Sequence, residues 1–188
     1  MRGERRRRIA VGIAACLSVF LAQPAPVAAQ TPREKFIADN RCAIIVRLHM
    51  IHSQPGEAHR YLAVFPARYP GAYVQCLLED DSRRLLCEAA SGFFSVPEGE
   101  TPPPVPPARL KVMGAAGFST DISAGNFQRE FVITHPGRDF PVIADMLLGI
   151  LYDGYGVRPG ARMRFDAPLA PLEPSKGADA CALRVSSL

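Results

Sequence analysis

Two apolar runs, 73–79 and 84–93, flank the polar stretch Asp80-Asp81-Ser82-Arg83, and this pattern restricts the fold more than any other feature. Apolar runs separated by a short polar turn predict a β-hairpin. A symmetric register pairs residues whose numbers sum to 163: Leu78 with Leu85, Cys76 with Cys87, Val74 with Ala89. Side chains alternate along a strand, so these six share one face. The other face pairs Gln75 with Glu88 and Glu79 with Arg84, and is distinctly more polar. Facing residues of antiparallel strands lie ~4.5–5.5 Å apart at Cα, within the reach of a disulfide. Closing so short a loop between Cys76 and Cys87 contributes ~3 kcal/mol in the chain-entropy view. The alternative is a pair of buried free thiols, since unpaired cysteine is readily buried.

The amino terminus bears on that choice through the compartment. Arg5-Arg6-Arg7-Arg8 is followed by an apolar run, 9–22, and by the small residues Val27-Ala28-Ala29. Basic segment, short hydrophobic segment and small-residue site are the order of a secretory signal, here spanning 1–29 and cut between Ala29 and Gln30. The apolar run is shorter than the ~20 residues of a membrane span, and Pro24 and Pro26 oppose a longer helix. The expected product is exported to the bacterial periplasm or beyond, with no stable membrane span in the mature chain. The alternative is a lipoprotein, because Ile13-Ala14-Ala15-Cys16 resembles a lipobox and lipidation of Cys16 would anchor the chain to a membrane. The apolar residues Leu17, Val19, Phe20 and Leu21 directly after it suit a signal better than a lipoprotein's first mature residues.

Removing the signal changes the electrostatics. Of 22 Lys+Arg and 18 Asp+Glu, the first 29 residues hold five arginines and one glutamate, so 17 of each sign remain. The charge of +4 belongs to the leader, and an argument for nucleic acid or anionic lipid from net charge loses its premise. Cys42, Cys76, Cys87 and Cys181 survive cleavage. Four cysteines in an oxidising compartment allow three connectivities. If Cys76 meets Cys87, subtraction leaves Cys42 with Cys181, tying the first helix to the tail.

The remaining chain suits one domain, 30–166, followed by a Pro/Ala/Ser-rich tail, 167–188. Residues 33–52 read as a helix, with Ile37, Ile44, Ile45, Leu48 and Ile51 at spacings near three and four. Thr31, Pro32 and Glu34 supply a start, and Pro55-Gly56 a stop. A strand over 60–65 precedes the hairpin. Six prolines mark 97–107 as an extended loop, and a short helix follows over 107–116. Segments 118–120 and 126–134 read as a second hairpin. A long helix over 139–155 carries Ile143, Met146, Leu147, Ile150 and Leu151 on one stripe, with Asp139 as cap and Pro141 in its first turn. Residues 162–165 offer a last strand. The expected class is α+β, in the order α-β-β-β-α-β-β-α, with an antiparallel sheet of about five strands and helices packed on one face.

Tyr73-Val74-Gln75 opening a strand, Glu88 in the next, Gly117-Phe118, Asn126-Phe127 with Arg129 and Glu130, and Tyr155-Gly156-Val157 with Pro159 carry a family resemblance. Over 73–165 the chain resembles the YbjN-like branch of the type III secretion chaperone-like peptide-binding superfamily. That resemblance implies a domain that holds a peptide or a partner protein without chemistry. Tyr73, Gln75, Phe127 and Arg129 are the candidate contacts.

Other constellations are weaker. His49 and His52 are three apart on a helix and could share a metal with Glu57 or His59, but histidines near a helix end are more often solvated or hydrogen-bonded. Glu79, Asp80 and Asp81 form an acidic turn with Arg83 and Arg84 beside it to neutralise them. No G-x-S-x-G frame or glycine-rich phosphate loop occurs. The expectation is an exported, non-catalytic module of the cell envelope, without cofactor or metal, that binds a protein or peptide and no nucleic acid. Homodimerisation stays open. Alternatives are a small periplasmic hydrolase using His135 or the histidine group, and a purely structural envelope protein.

Overall fold

The computed structural model describes residues 29–171, apart from 55, 57, 80–82, 98–99, 102–103 and 124. Residues 1–28 of the expected leader, Cys16 among them, and Cys181 therefore lie outside the described residues, and Ala29 and Gln30 are exposed and without regular structure.

The first element, α1, is Pro32–Ser53. Its start is the predicted one. Thr31 accepts the Glu34 N–H at 3.2 Å, and the Thr31 N–H donates to Glu34 Oε2 at 2.7 Å, a reciprocal capping box ahead of a proline at the first position. Phe36, Ile44, Leu48 and Ile51 form its buried stripe.

Five antiparallel strands follow in chain order: β1 Tyr61–Pro66, β2 Val74–Glu79, β3 Arg84–Ala89, β4 Phe127–Val132 and β5 Met163–Asp166. They lie side by side in the order β4-β3-β2-β1-β5. The β2–β3 register is the one predicted: Leu78 faces Leu85, Cys76 faces Cys87, Val74 faces Ala89, and Gln75 faces Glu88. A disulfide joins Cys76 to Cys87, and both are buried.

Three helices cover one face of this sheet. α2 is Pro107–Ala115 and α3 is Pro136–Gly149, which runs on into a π-helical turn, Ile150–Gly154. Leu62, Val64, Val74, Cys76, Leu78, Leu85 and Ala89 from the sheet join the α1 stripe, Met113 of α2, and Phe140, Ile143, Leu147 and Leu148 of α3 in a single core. Burying each large aliphatic or aromatic side chain of this kind contributes ~1.5–3 kcal/mol. The result is a two-layer α+β domain in the order α-β-β-β-α-β-α-β.

Three local expectations differ from this order. Segment 118–120 is not a strand: it makes one bridge, Ser119 to Gln128. Gly117 takes a left-handed φ of 77° and Phe118 turns inward to 4% exposure, so the backbone is committed to closing α2 instead of running along β4. The long helix starts three residues earlier than predicted, at Pro136. Asp139 lies inside it and reaches back to the N–H groups of Thr134 and His135 at 2.9 and 2.7 Å. β3 stops at Ala89, because Gly92 turns the chain with φ 94° into a short 3-10 turn, Phe93–Ser95. The core also includes Ala167 and Ala170, beyond the expected boundary at 166.

Candidate functional site

Among the described residues no helix lies on the second face of the sheet. That face presents Tyr61, Ala63 and Phe65 from β1, Gln75, Leu77 and Glu79 from β2, then Leu86 and Glu88 from β3. Gln128, Glu130 and Val132 of β4 complete it. Glu88 sits at the centre of a cross-strand ladder, accepting from Gln75 Nε2 at 2.5 Å and from Gln128 Nε2 at 3.0 Å. Arg84 lies 3.8 Å from both Glu79 and Glu130. Between these polar rows Leu77 faces Leu86, and Leu77 and Val132 are 42% and 66% exposed. Such a surface has fixed hydrogen-bonding rows and apolar gaps.

The two edges of the sheet differ. Beside β4, the Ser119 N–H donates to the Gln128 carbonyl at 2.8 Å, so part of that edge is occupied. β5 pairs with β1 on one side, and among the described residues no strand lies on its other side. Arg164 and Asp166 are exposed along it, and Asp166 accepts the Tyr61 hydroxyl at 3.2 Å. Burial and the Asp166 charge both push the Tyr61 phenol above its ordinary value.

The four candidate contacts do not share a surface. Gln75 belongs to the open face. Phe127, fully buried, and Arg129 lie on the helix-covered face, opposite Ala89 and Cys87. Arg129 Nη1 donates to the Ala116 carbonyl at the end of α2 and lies 3.6 Å from Met146 Sδ, while its guanidinium stacks 4.4 Å from the Phe131 ring. Arg129 therefore ties α2 and α3 to β4. Tyr73 stands at the end of the sheet, where its hydroxyl accepts from Asn126 Nδ2 at 2.8 Å.

That end holds a polar network that sequence reasoning missed. Asn126 and Ser91 are 5% and 3% exposed. The Ser91 N–H donates to Asn126 Oδ1, Ser91 Oγ donates to the Gly125 carbonyl and accepts the Phe93 N–H. Tyr155 donates its hydroxyl to the Ala90 carbonyl at 2.5 Å. Burial, reinforced by Tyr73 and opposed by Arg109, pushes the Tyr155 phenol well above its usual range. The sequence signals were only a Ser-Gly step after an apolar run and an Asn before a strand.

The histidines serve elsewhere. His49 and His52 both meet the Phe140 ring edge-on, at 4.8 and 5.6 Å, and His59 is exposed with φ 61°. Glu57 lies outside the described residues. His135 is exposed at the start of α3, its Nδ1 3.1 Å from Thr134 Oγ1. Among the described residues no three His, Cys, Asp or Glu side chains are grouped to hold a metal ion. No described helix is long and apolar enough to cross a membrane. Cys42 of α1 is disulfide-bonded. Comparison with family models, with curated proteins and with solved structures finds no match to this chain.

Proposed function

We propose that this chain is an exported, non-catalytic binding module of the bacterial cell envelope that holds an extended segment of a partner protein. The observation that carries this reading is a sheet face that the described residues leave uncovered, continuing to strand β5, which among them has a neighbour on one side alone. An extended segment laid beside β5 would satisfy its outward backbone groups. A partner that runs on from this edge across the open face would then meet the apolar residues Phe65 and Leu77. The resemblance to YbjN-like and type III secretion chaperone-like domains supports the same role. Export is supported by the leader pattern and by disulfide bonding of Cys42, Cys76 and Cys87, which an oxidising space maintains.

Site-specific photo-crosslinking in intact cells tests it. A photoreactive residue at Leu77 or at Arg164 should trap the same polypeptide. One at Val142, 65% exposed on α3, should not. A second copy of this chain trapped at both sheet positions would identify the partner as itself. Absence of any adduct at Leu77 and Arg164, or equal yield at Val142, would overturn the proposal.

A further inference from the structure

A cleft of about 670 Å³ opens at the end of the molecule between the β1–β2 loop and the segment that leads from the π-helical turn into β5. Arg68, Arg158 and Arg162 line it together with Tyr69, Tyr155 and Val157, and among the described residues no carboxylate lines it. Its two walls are joined by the Ala67 N–H, which donates to the Arg162 carbonyl at 2.8 Å.

The state of these arginines sets the cleft apart. Arg68 and Arg162 are exposed and have no ion pair or hydrogen bond to their side chains among the described residues. Arg158 is held in place by its own backbone: Nη1 donates to the carbonyls of Tyr152 and Val157 at 2.8 and 3.1 Å, and the guanidinium stacks 4.3 Å from the Tyr152 ring. Its Nε and Nη2 donors take no partner among the described residues. A contrasting cleft of about 490 Å³ between α1 and α3 also holds two arginines, but each is neutralised, Arg33 by Asp153 at 2.8 Å and Arg41 by Asp145 at 2.7 Å. With 17 charges of each sign after residue 29, three cations gathered without a carboxylate are a local feature and not a consequence of net charge. Guanidinium groups match carboxylate and phosphate in planar, paired hydrogen bonds. The volume lies within the ~300–1,000 Å³ of small-molecule sites.

We propose that this cleft binds a small organic anion carrying two or more carboxylate or phosphate groups. Arg158 acts as a fixed anchor, and Arg68 and Arg162 close on the ligand from opposite walls. Tyr69 and Val157 contact its apolar part. The site is separate from the strand-docking surface and stands without it.

The test titrates citrate and inorganic pyrophosphate, in separate arms at low ionic strength, into protein isolated from an exporting host with its disulfides intact. Amide chemical shifts supply the readout, with sucrose as the neutral control. Saturable shifts confined to 66–72 and 155–162 are expected with at least one anion, and the arm that responds names the headgroup chemistry. Exchanging both free cations, R68Q/R162Q, should weaken that binding about tenfold or more. The R33Q change in the other cleft should leave it unaltered. Equal thermal melting of R68Q/R162Q and the parent would show that the variant is folded, as expected for exposed, unpartnered side chains. No saturable response to either anion, or undiminished binding in folded R68Q/R162Q, would overturn the assignment.

Discussion

Asp139 and Tyr155 are single residues whose protonation is coupled to the fold in opposite directions. The His135 N–H holds the Asp139 carboxyl below its usual value; burial opposes it, and the Thr134 N–H and the nearby charges of His135 and Arg138 add to the lowering. A depressed carboxyl stabilises the native state above its unfolded pKa of ~3.9, and that contribution is lost as pH falls through the native value. Asp139→Asn should therefore cost under about 1 kcal/mol at neutral pH, the carboxylate being well solvated. The gap between parent and variant should close below about pH 4. Urea unfolding at several pH values measures this, and a gap that widens in acid would refute it. Tyr155 carries the reverse sign. Its raised phenol contributes stability that is complete below the unfolded value of ~10 and is lost as pH rises past it. Tyr155→Phe removes the bond to the Ala90 carbonyl and should cost about 1 kcal/mol near neutrality, read from the same unfolding curves.

At the scale of elements, the β2–β3 hairpin combines three independent determinants: alternation, a short polar turn, and a facing cysteine pair. Replacing both cysteines, Cys76→Ser with Cys87→Ser, should cost roughly 3 kcal/mol of unfolding free energy without changing the sheet. Denaturant midpoints with circular dichroism of the folded state check both halves of that statement. α2 depends instead on a contact from outside itself. Its last turn ends at Gly117, where an added Cβ would lie 3.1 Å from the Arg129 guanidinium at a φ of 77°. Gly117→Ala should destabilise by more than about 1 kcal/mol through backbone strain and displacement of Arg129. A thermal melt equal to the parent's would disprove it. The hairpin was legible because its signals are local and mutually consistent. Segment 118–120 was not, since its apolar Phe118 serves the core under α2 instead of a strand ladder. No period of two residues can report that.

For the whole molecule, a second disulfide starting from α1 is expected beside the one in the sheet. Cys42 is disulfide-bonded, and Cys76 is paired with Cys87; of the five cysteines, removal of a leader carrying Cys16 would leave Cys181 as the expected partner of Cys42. A non-reduced proteolytic digest should yield one linked peptide containing both, and free alkylation of Cys42 in the native protein would exclude it. Linking α1 to the tail closes a long loop, so its loss should cost about 4 kcal/mol or more in the chain-entropy view. Taken alone, the sequence determined the capped first helix, the β2–β3 register with Cys76 opposite Cys87, and the separation of an apolar from a polar sheet face. Each of these follows from neighbours in the chain and the period of the backbone. Tertiary structure decided which polar residues face solvent and which are consumed as ties. Arg129, a candidate contact by sequence, is turned inward to hold two helices. Arg68 and Arg162, unremarkable in sequence, meet across a cleft because β5 pairs with β1. That pairing is a contact between distant segments. It is selected by burial of the shared core, which no local pattern encodes.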